Sequence, residues 1–148
     1  MLSQTPSISS IEAEIIDEFT VVDDWMDKYA YLIDLGKDLP SLNEEFKQEA
    51  FRVKGCQSKV WLRAWEDSQR VYFEADSDAM ITKGLIALLI RVLSGQSAAS
   101  IVEAELEFVD EIGLRKHLSA NRSNGLTAMI TRMKSHAAVL GEVNYSTA

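Results

Sequence analysis

Lys59-Val60-Trp61-Leu62-Arg63-Ala64-Trp65-Glu66, then Asp67-Ser68-Gln69, then Arg70-Val71-Tyr72-Phe73-Glu74-Ala75-Asp76: these residues decide the fold class. Successive side chains of a strand point to opposite faces, so a half-buried strand alternates apolar with polar. Val60, Leu62 and Ala64 point one way, and Trp61, Arg63 and Trp65 the other. Val71, Phe73 and Ala75 alternate in the same way with Tyr72 and Glu74. The polar gap between the runs predicts an antiparallel hairpin, Lys59–Glu66 with Arg70–Asp76. An isolated hairpin is marginal in water, so further cover is required. Ala50 to Lys54 is the expected third strand, paired across the loop Gly55 to Ser58.

Outward from the hairpin the period becomes helical. Upstream, Ser9 with Glu12 has capping-box spacing, and Ile11, Ile15, Phe19 and Val22 share one face. A second helix is expected from Asp23 or Asp24, with a stripe of Trp25, Tyr29, Leu32 and Ile33, ended at the latest by Pro40. A short acidic helical piece is expected at Leu42 to Gln48. Downstream, Ser77 is the expected cap of a central, largely apolar helix from Asp78 to about Leu93, with Asp76 and Asp78 at the positive end of its dipole. Ser94-Gly95 should end it. Ser97 should cap a short helix, and another should run through Phe108 and Ile112 to Gly113. The last helix is predicted from Ser119 to Leu140, stopped by Gly141. The expectation is one α+β domain over residues 1–148, with a three-stranded antiparallel sheet packed against N- and C-terminal helices. Its core should span about residues 9–140, with flexible tails at 1–8 and 142–148.

Composition excludes several functions. With 15 basic against 23 acidic residues the net charge is -8, which disfavours nucleic acid and anionic membrane surfaces. The longest apolar run, Gly84 to Ile90, falls far short of the ~20 residues that span a bilayer. Met1 to Ser10 has neither the basic start nor the apolar stretch of a secretory signal, so a cytoplasmic protein is expected.

There is one cysteine, Cys56, and there are two histidines, His117 and His136. A single thiol forms no intramolecular disulfide, and it cannot build a zinc or cluster site unaided. No metal and no cofactor are therefore expected. By itself the thiol is open to two readings, a small buried apolar side chain or a functional group. Its setting is Arg52-Val53-Lys54-Gly55-Cys56-Gln57-Ser58-Lys59, a turn between extended segments, where functional groups concentrate. From Ala50 to Trp65 there is no acidic residue, whereas Arg52, Lys54, Lys59 and Arg63 are basic. Such an island either favours the reactive thiolate or is a solvated face. No histidine lies near in sequence to act as a hydrolase base. Leu62 stands where a cysteine phosphatase carries its arginine, and a dithiol centre lacks its second thiol. A lone thiol exchanging with a group brought by a partner remains. The histidines read as surface or capping residues, and Trp25, Trp61 and Trp65 as packing groups.

Gly55-Cys56-Gln57-Ser58-Lys59-Val60-Trp61 resembles the active-site loop of the SufE family, which usually reads Gly-Cys-Gln-Ser-x-Val-Trp. The resemblance continues at Trp25, Tyr29, Tyr31-Leu32-Ile33 and Leu35-Gly36 upstream. Downstream it takes in Asp76-Ser77-Asp78-Ala79, Lys83-Gly84-Leu85-Ile86-Ala87, His117-Leu118-Ser119, Arg122 and Gly125-Leu126-Thr127-Ala128-Met129, covering roughly residues 15–138. Many members carry Pro-Ser where this chain has Ala120-Asn121.

The resemblance implies a sulfur carrier. A SufS-type cysteine desulfurase, using its own pyridoxal phosphate, leaves a persulfide on its cysteine. The Cys56 thiolate takes the outer sulfur, stimulates the desulfurase, and passes the sulfur on to a cluster-assembly scaffold. The implied fold is similar to that of U-type Fe-S scaffolds, whose three cysteines this chain lacks. Cys56 is then the nucleophile, and Gly55, Gln57 and Ser58 shape its loop. Arg122, Asp78, Lys54 and Lys59 are candidates for loop support or partner contact. Two alternatives stay open: a non-covalent adaptor that activates a desulfurase by binding, and a CsdE-like partner of a different desulfurase. A homodimer also stays open.

Overall fold

The computed structural model describes residues 6–146. Its centre is the expected hairpin. Strand β1 (Val60–Asp67) pairs antiparallel with β2 (Arg70–Ser77), in a register that sets Leu62 against Ala75 and Ala64 against Phe73. The two-residue turn has Ser68 at φ 53 and Gln69 at φ 68, the left-handed geometry that matches strand twist in tight hairpins. Val60, Leu62, Val71, Phe73 and Ala75 are buried on one face.

The third strand does not form. Glu44–Phe46 and Glu49–Phe51 are 3-10 turns, which bring Phe46 and Phe51 edge to face at 5.4 Å. Only Arg52 and Val53 remain extended. Arg52 bridges Trp61, and the Val53 N–H donates to the Val60 carbonyl at 2.9 Å. The sheet among the described residues is therefore two-stranded.

Helices supply the missing cover. Helix α1 (Ile8–Thr20) starts under a Ser7 cap, two residues before the expected Ser9, and Pro6 accepts a hydrogen bond from the Gln96 amide. Residues 6–8 are thus part of the packed structure. Helix α2 (Trp25–Lys37) is capped by Asp24. Helix α3 (Met80–Leu93) is the central one, with eight buried residues between Thr82 and Leu93. It begins two residues later than expected, and Asp76 and Asp78 serve elsewhere. Helices α2 and α3 cross at glycines: a Cβ on Gly84 would lie 2.1 Å from the Leu32 carbonyl oxygen. Glu18 of α1 accepts from Arg91 of α3 at 2.7 Å and from Tyr31 of α2 at 2.6 Å, tying three helices together. The Arg91 guanidinium holds the Glu18 carboxyl at about 2.

Helix α4 (Ala98–Glu103) follows its Ser97 cap. The expected helix through Phe108 to Gly113 is the short α5 (Phe108–Glu111), and after Gly113, at φ 82, comes a further short helix that was not expected, α6 (Leu114–His117). The last, α7 (Ala120–Ser146), runs through Gly141 instead of stopping there. A Cβ on Gly141 would meet that of Ala98 at 3.0 Å, so this glycine lets α4 approach α7. Of the expected tails, residues 1–5 and 147–148 lie outside the described residues. No helix among the described residues is long and apolar enough to cross a membrane.

Candidate functional site

The two-residue pairing of Arg52 and Val53 with β1 leaves Lys54 to Lys59 as a loop at the open end of the hairpin. Lys54 and Gly55 make its turn. Gly55 has φ 88, and an added Cβ would also press on Ala128 at 3.2 Å, so this position favours glycine. The turn delivers Cys56, half-buried, against α7, where the thiol donates to the Gly125 carbonyl with sulfur and oxygen 3.6 Å apart.

Cys56 opens into a cleft of ≈ 320 Å³. Gln57, Ser58 and Ser119 contribute hydroxyl or amide groups, and Leu85 and Met129 give apolar wall. Arg122 also lines the cleft. Gln57 is exposed and Ser58 half-buried. Gly125, Thr82 and Asn121 complete the lining. The Arg122 backbone N–H donates to Ser119 Oγ at 3.3 Å, which caps the start of α7. Its side chain is exposed, and no carboxylate among the described residues pairs with it.

Asp78 fastens the other side of the loop. Its Oδ1 accepts the Lys59 N–H at 3.1 Å, while its own N–H donates to the Lys59 carbonyl at 3.3 Å. Asp76 lies deeper. It accepts from the Ser77 N–H at 2.8 Å and the Leu42 N–H at 3.4 Å, and Lys47 and Lys83 each stand 3.4 Å away. Burial acts against its charge, but these backbone and lysine donors outweigh it and hold the carboxyl below the usual range.

The basic island is weaker than the sequence suggests. Lys54 pairs with Glu49 at 3.1 Å, and Arg52 approaches the same carboxylate at 3.9 Å. Arg63 lies on the far face of the hairpin, paired with Glu74 at 2.8 Å and stacked over Phe46 and Trp65. Glu49 stands one residue outside the carboxylate-free window, and Glu74 reaches it only through strand pairing. Burial pushes the Cys56 thiol up, and only Arg52 pulls it back. The resting thiol is therefore protonated at neutral pH, contrary to the thiolate-favouring reading of the island.

Neither histidine lines the cleft. His117 stacks on Trp25 with ring centres 4.0 Å apart, and His136 sits half-buried beside Arg132. Among the described residues no three His, Cys, Asp or Glu side chains are placed to hold a metal ion. The structure thus brings together Cys56, Gln57, Ser58 and Arg122, joins Asp78 to the loop backbone at Lys59, and turns Lys54 away to Glu49. Sequence reading gave no role to Thr82, Leu85, Ser119, Asn121, Gly125 or Met129. Several of them fall inside the matching stretches, and that was the available signal.

Comparisons with known proteins bear on the family and the fold. Residues 13–137 match the family described as SufE, Fe-S metabolism associated domain. An uncharacterized SufE-like protein of Rhizobium meliloti is 43% identical over 129 residues, covering 84% of this chain and 92% of its own. The sulfur acceptor protein CsdE of Escherichia coli is 39% identical over 127 residues, covering 84% and 86%. The SufE-like protein 1, chloroplastic/mitochondrial, of Arabidopsis thaliana is 41% identical over 137 residues, 90% of this chain but 37% of that longer protein. The solution structure of a hypothetical protein from Thermus thermophilus shares the fold, with a TM-score of 0.73 at 20% identity over 88% of this chain and 95% of that one. The match over most of the chain, with the thiol loop inside it, places this protein in the SufE family.

Proposed function

We propose that this protein is a sulfur acceptor and carrier in iron-sulfur metabolism, with Cys56 as the carrying group. The observation that carries the reading is the seat of Sγ: a lone thiol, 3.6 Å from a helix carbonyl, facing a cleft with no imidazole and no second thiol. Such a site does not suit hydrolysis, dithiol redox or metal holding. It suits taking up one further sulfur atom. The donor is a cysteine desulfurase, SufS-type or, as the likeness to CsdE favours, the partner of that branch. The recipient is a cluster-assembly scaffold. Pyridoxal phosphate chemistry belongs to the desulfurase, and this chain needs no cofactor of its own. The cytosol, where a lone thiol stays reduced, is the compartment assigned to it.

In the transfer the Cys56 thiolate attacks the outer sulfur of the donor persulfide. The donor's S–S bond breaks, its electron pair leaves on the donor thiolate, and a persulfide forms on Cys56 with no net redox change. Burial keeps the resting thiol protonated, so acceptance requires the loop to swing outward and wet the sulfur. Few bonds resist that motion: Val53 to Val60 on one side, Asp78 with Lys59 on the other, and the thiol contact to Gly125. Returning inward, the loop shelters the loaded sulfur in the cleft.

Mass spectrometry after incubation with a desulfurase and free cysteine tests this. Cys56 should gain the mass of one or more sulfur atoms, lost again on reduction, and Cys56→Ser should gain nothing and cease to stimulate the desulfurase. Stimulation by an unmodified protein, or by Cys56→Ser, overturns the carrier reading in favour of an adaptor.

A further inference from the structure

The cleft is larger than a single stored sulfur atom requires. Its ≈ 320 Å³ is several times the ~30 Å³ share of a liquid water molecule and falls at the small end of ligand pockets. Its lining is also one-sided in charge. Arg122 has no carboxylate partner among the described residues, and none of the lining residues is acidic, in a chain of net charge -8. The neutral donors of Ser58, Ser119 and Asn121 and the apolar wall of Leu85 and Met129 complete it. An unpaired guanidinium beside a cleft selects an anion, and its planar fork suits a carboxylate. The short apolar wall suits a body of a few carbons, and the reacting sulfur lies in the same space.

We infer that the Cys56 cleft admits a small carboxylate-bearing thiol, oriented by Arg122, that discharges the Cys56 persulfide directly. This inference rests on Cys56 carrying a persulfide and names an acceptor class for that site. The step balances without an oxidant. The thiolate of the small molecule attacks the outer sulfur, and the bond from that sulfur to Cys56 Sγ breaks. The electron pair returns to Sγ, and the outer sulfur leaves with its proton as a small-molecule persulfide. Arg122 acts by placing the carboxylate, so that the incoming sulfur approaches the outer sulfur at bonding range.

Two probes of nearly equal shape test the charge selection without any loading. Iodoacetate carries the carboxylate and iodoacetamide is its neutral counterpart. The ratio of their alkylation rates at Cys56, divided by the same ratio for 2-mercaptoethanol, should exceed unity by roughly fivefold, as expected of a cation focusing a field in a cleft. It should fall with added salt. Arg122→Gln should bring the ratio to that of the free thiol, and Arg122→Lys should keep most of it. A purely structural role for Arg122 would change both rates together. A wild-type ratio equal to that of the free thiol, or one unmoved by Arg122→Gln, overturns the site. The second arm uses protein persulfidated chemically with polysulfide, so that no desulfurase is involved. At equal thiolate concentrations 3-mercaptopropionate should discharge it faster than 2-mercaptoethanol, and the trapped product should be the small persulfide. Release of sulfide with a mixed disulfide on Cys56 overturns the transfer step. Charge-selective discharge after chemical loading, in a protein that no desulfurase loads, would sink the carrier reading and leave this site standing. Loading by a desulfurase without charge selectivity would do the reverse.

Discussion

The two ends of the hairpin finish the same ladder by different means. At the turn end the chain reverses in two residues, Ser68 and Gln69, both exposed and left-handed, with Glu66 accepting the Gln69 N–H at 2.9 Å. At the open end the strands splay into the thiol loop and the start of α3, and buried side chains must close the hydrogen bonds. Asp76 and Ser77 are buried there, and Asp78 reaches back to Lys59. Backbone groups removed from water need partners. The open end thus collects a charged frame, and that frame holds the loop that carries Cys56.

The largest expected effect on that contrast comes from Asp76→Ala. It strands two lysines and frees two buried N–H groups, so destabilisation of about 2–3 kcal/mol is expected in denaturant melts. Because the Asp76 carboxyl is held below its usual range, its stabilisation is complete at neutral pH. It is lost as the pH falls from the ordinary carboxylate value of ~3.9 through the lower folded one. The gap between wild type and variant should therefore narrow on acidification. A gap independent of pH would show that packing rather than charge holds the open end.

Asp78→Ala should be milder for the fold and clearer for the site. Removing a fastening of about 1 kcal/mol should raise the population of open loop, and with it alkylation of Cys56 by iodoacetamide, by roughly fivefold. The pH midpoint of alkylation, above the ordinary thiol value of ~8.5 in the wild type because burial raises it, should move down. Unchanged rate and midpoint would mean that Asp78 does not gate the loop. The smallest effect belongs to the turn. Replacing Ser68-Gln69 by Asn-Gly should stabilise the hairpin by about 1 kcal/mol, since both positions have positive φ. It should leave sulfur uptake by Cys56 unaltered. Altered uptake would show that the two ends are coupled through the strands.

What was legible in the sequence follows the same division. Alternation in Val60–Ala75 fixed the faces of the hairpin, the Ser97 cap fixed one helix start, and Asp23-Asp24 narrowed another to two residues, of which the structure uses Asp24. Cys56 stood out because glycine and polar loop residues flank it. The third strand was misread because Phe46 and Phe51 gain more by meeting through 3-10 turns than by extending. The island was open to two readings because Glu49 stands just outside the carboxylate-free window and Glu74 becomes a neighbour of Arg63 only through strand pairing. Gly141 looked like a stop because a glycine that admits a neighbouring helix has the same letter as one that ends its own. The cleft was beyond local reading, since its walls come from the thiol loop, α3 and α7.

Gly125 carries a conflict between durability and use. A glycine inside a helix forgoes about 1 kcal/mol relative to alanine. Here an added Cβ would sit 3.5 Å from Sγ, an ordinary packing distance that the resting fold could accommodate. Gly125→Ala should therefore raise the melting temperature while filling space beside the sulfur, and slow the second sulfur's entry. Selection for heat resistance alone would favour that change, and selection for the carrier role proposed for Cys56 would reverse it.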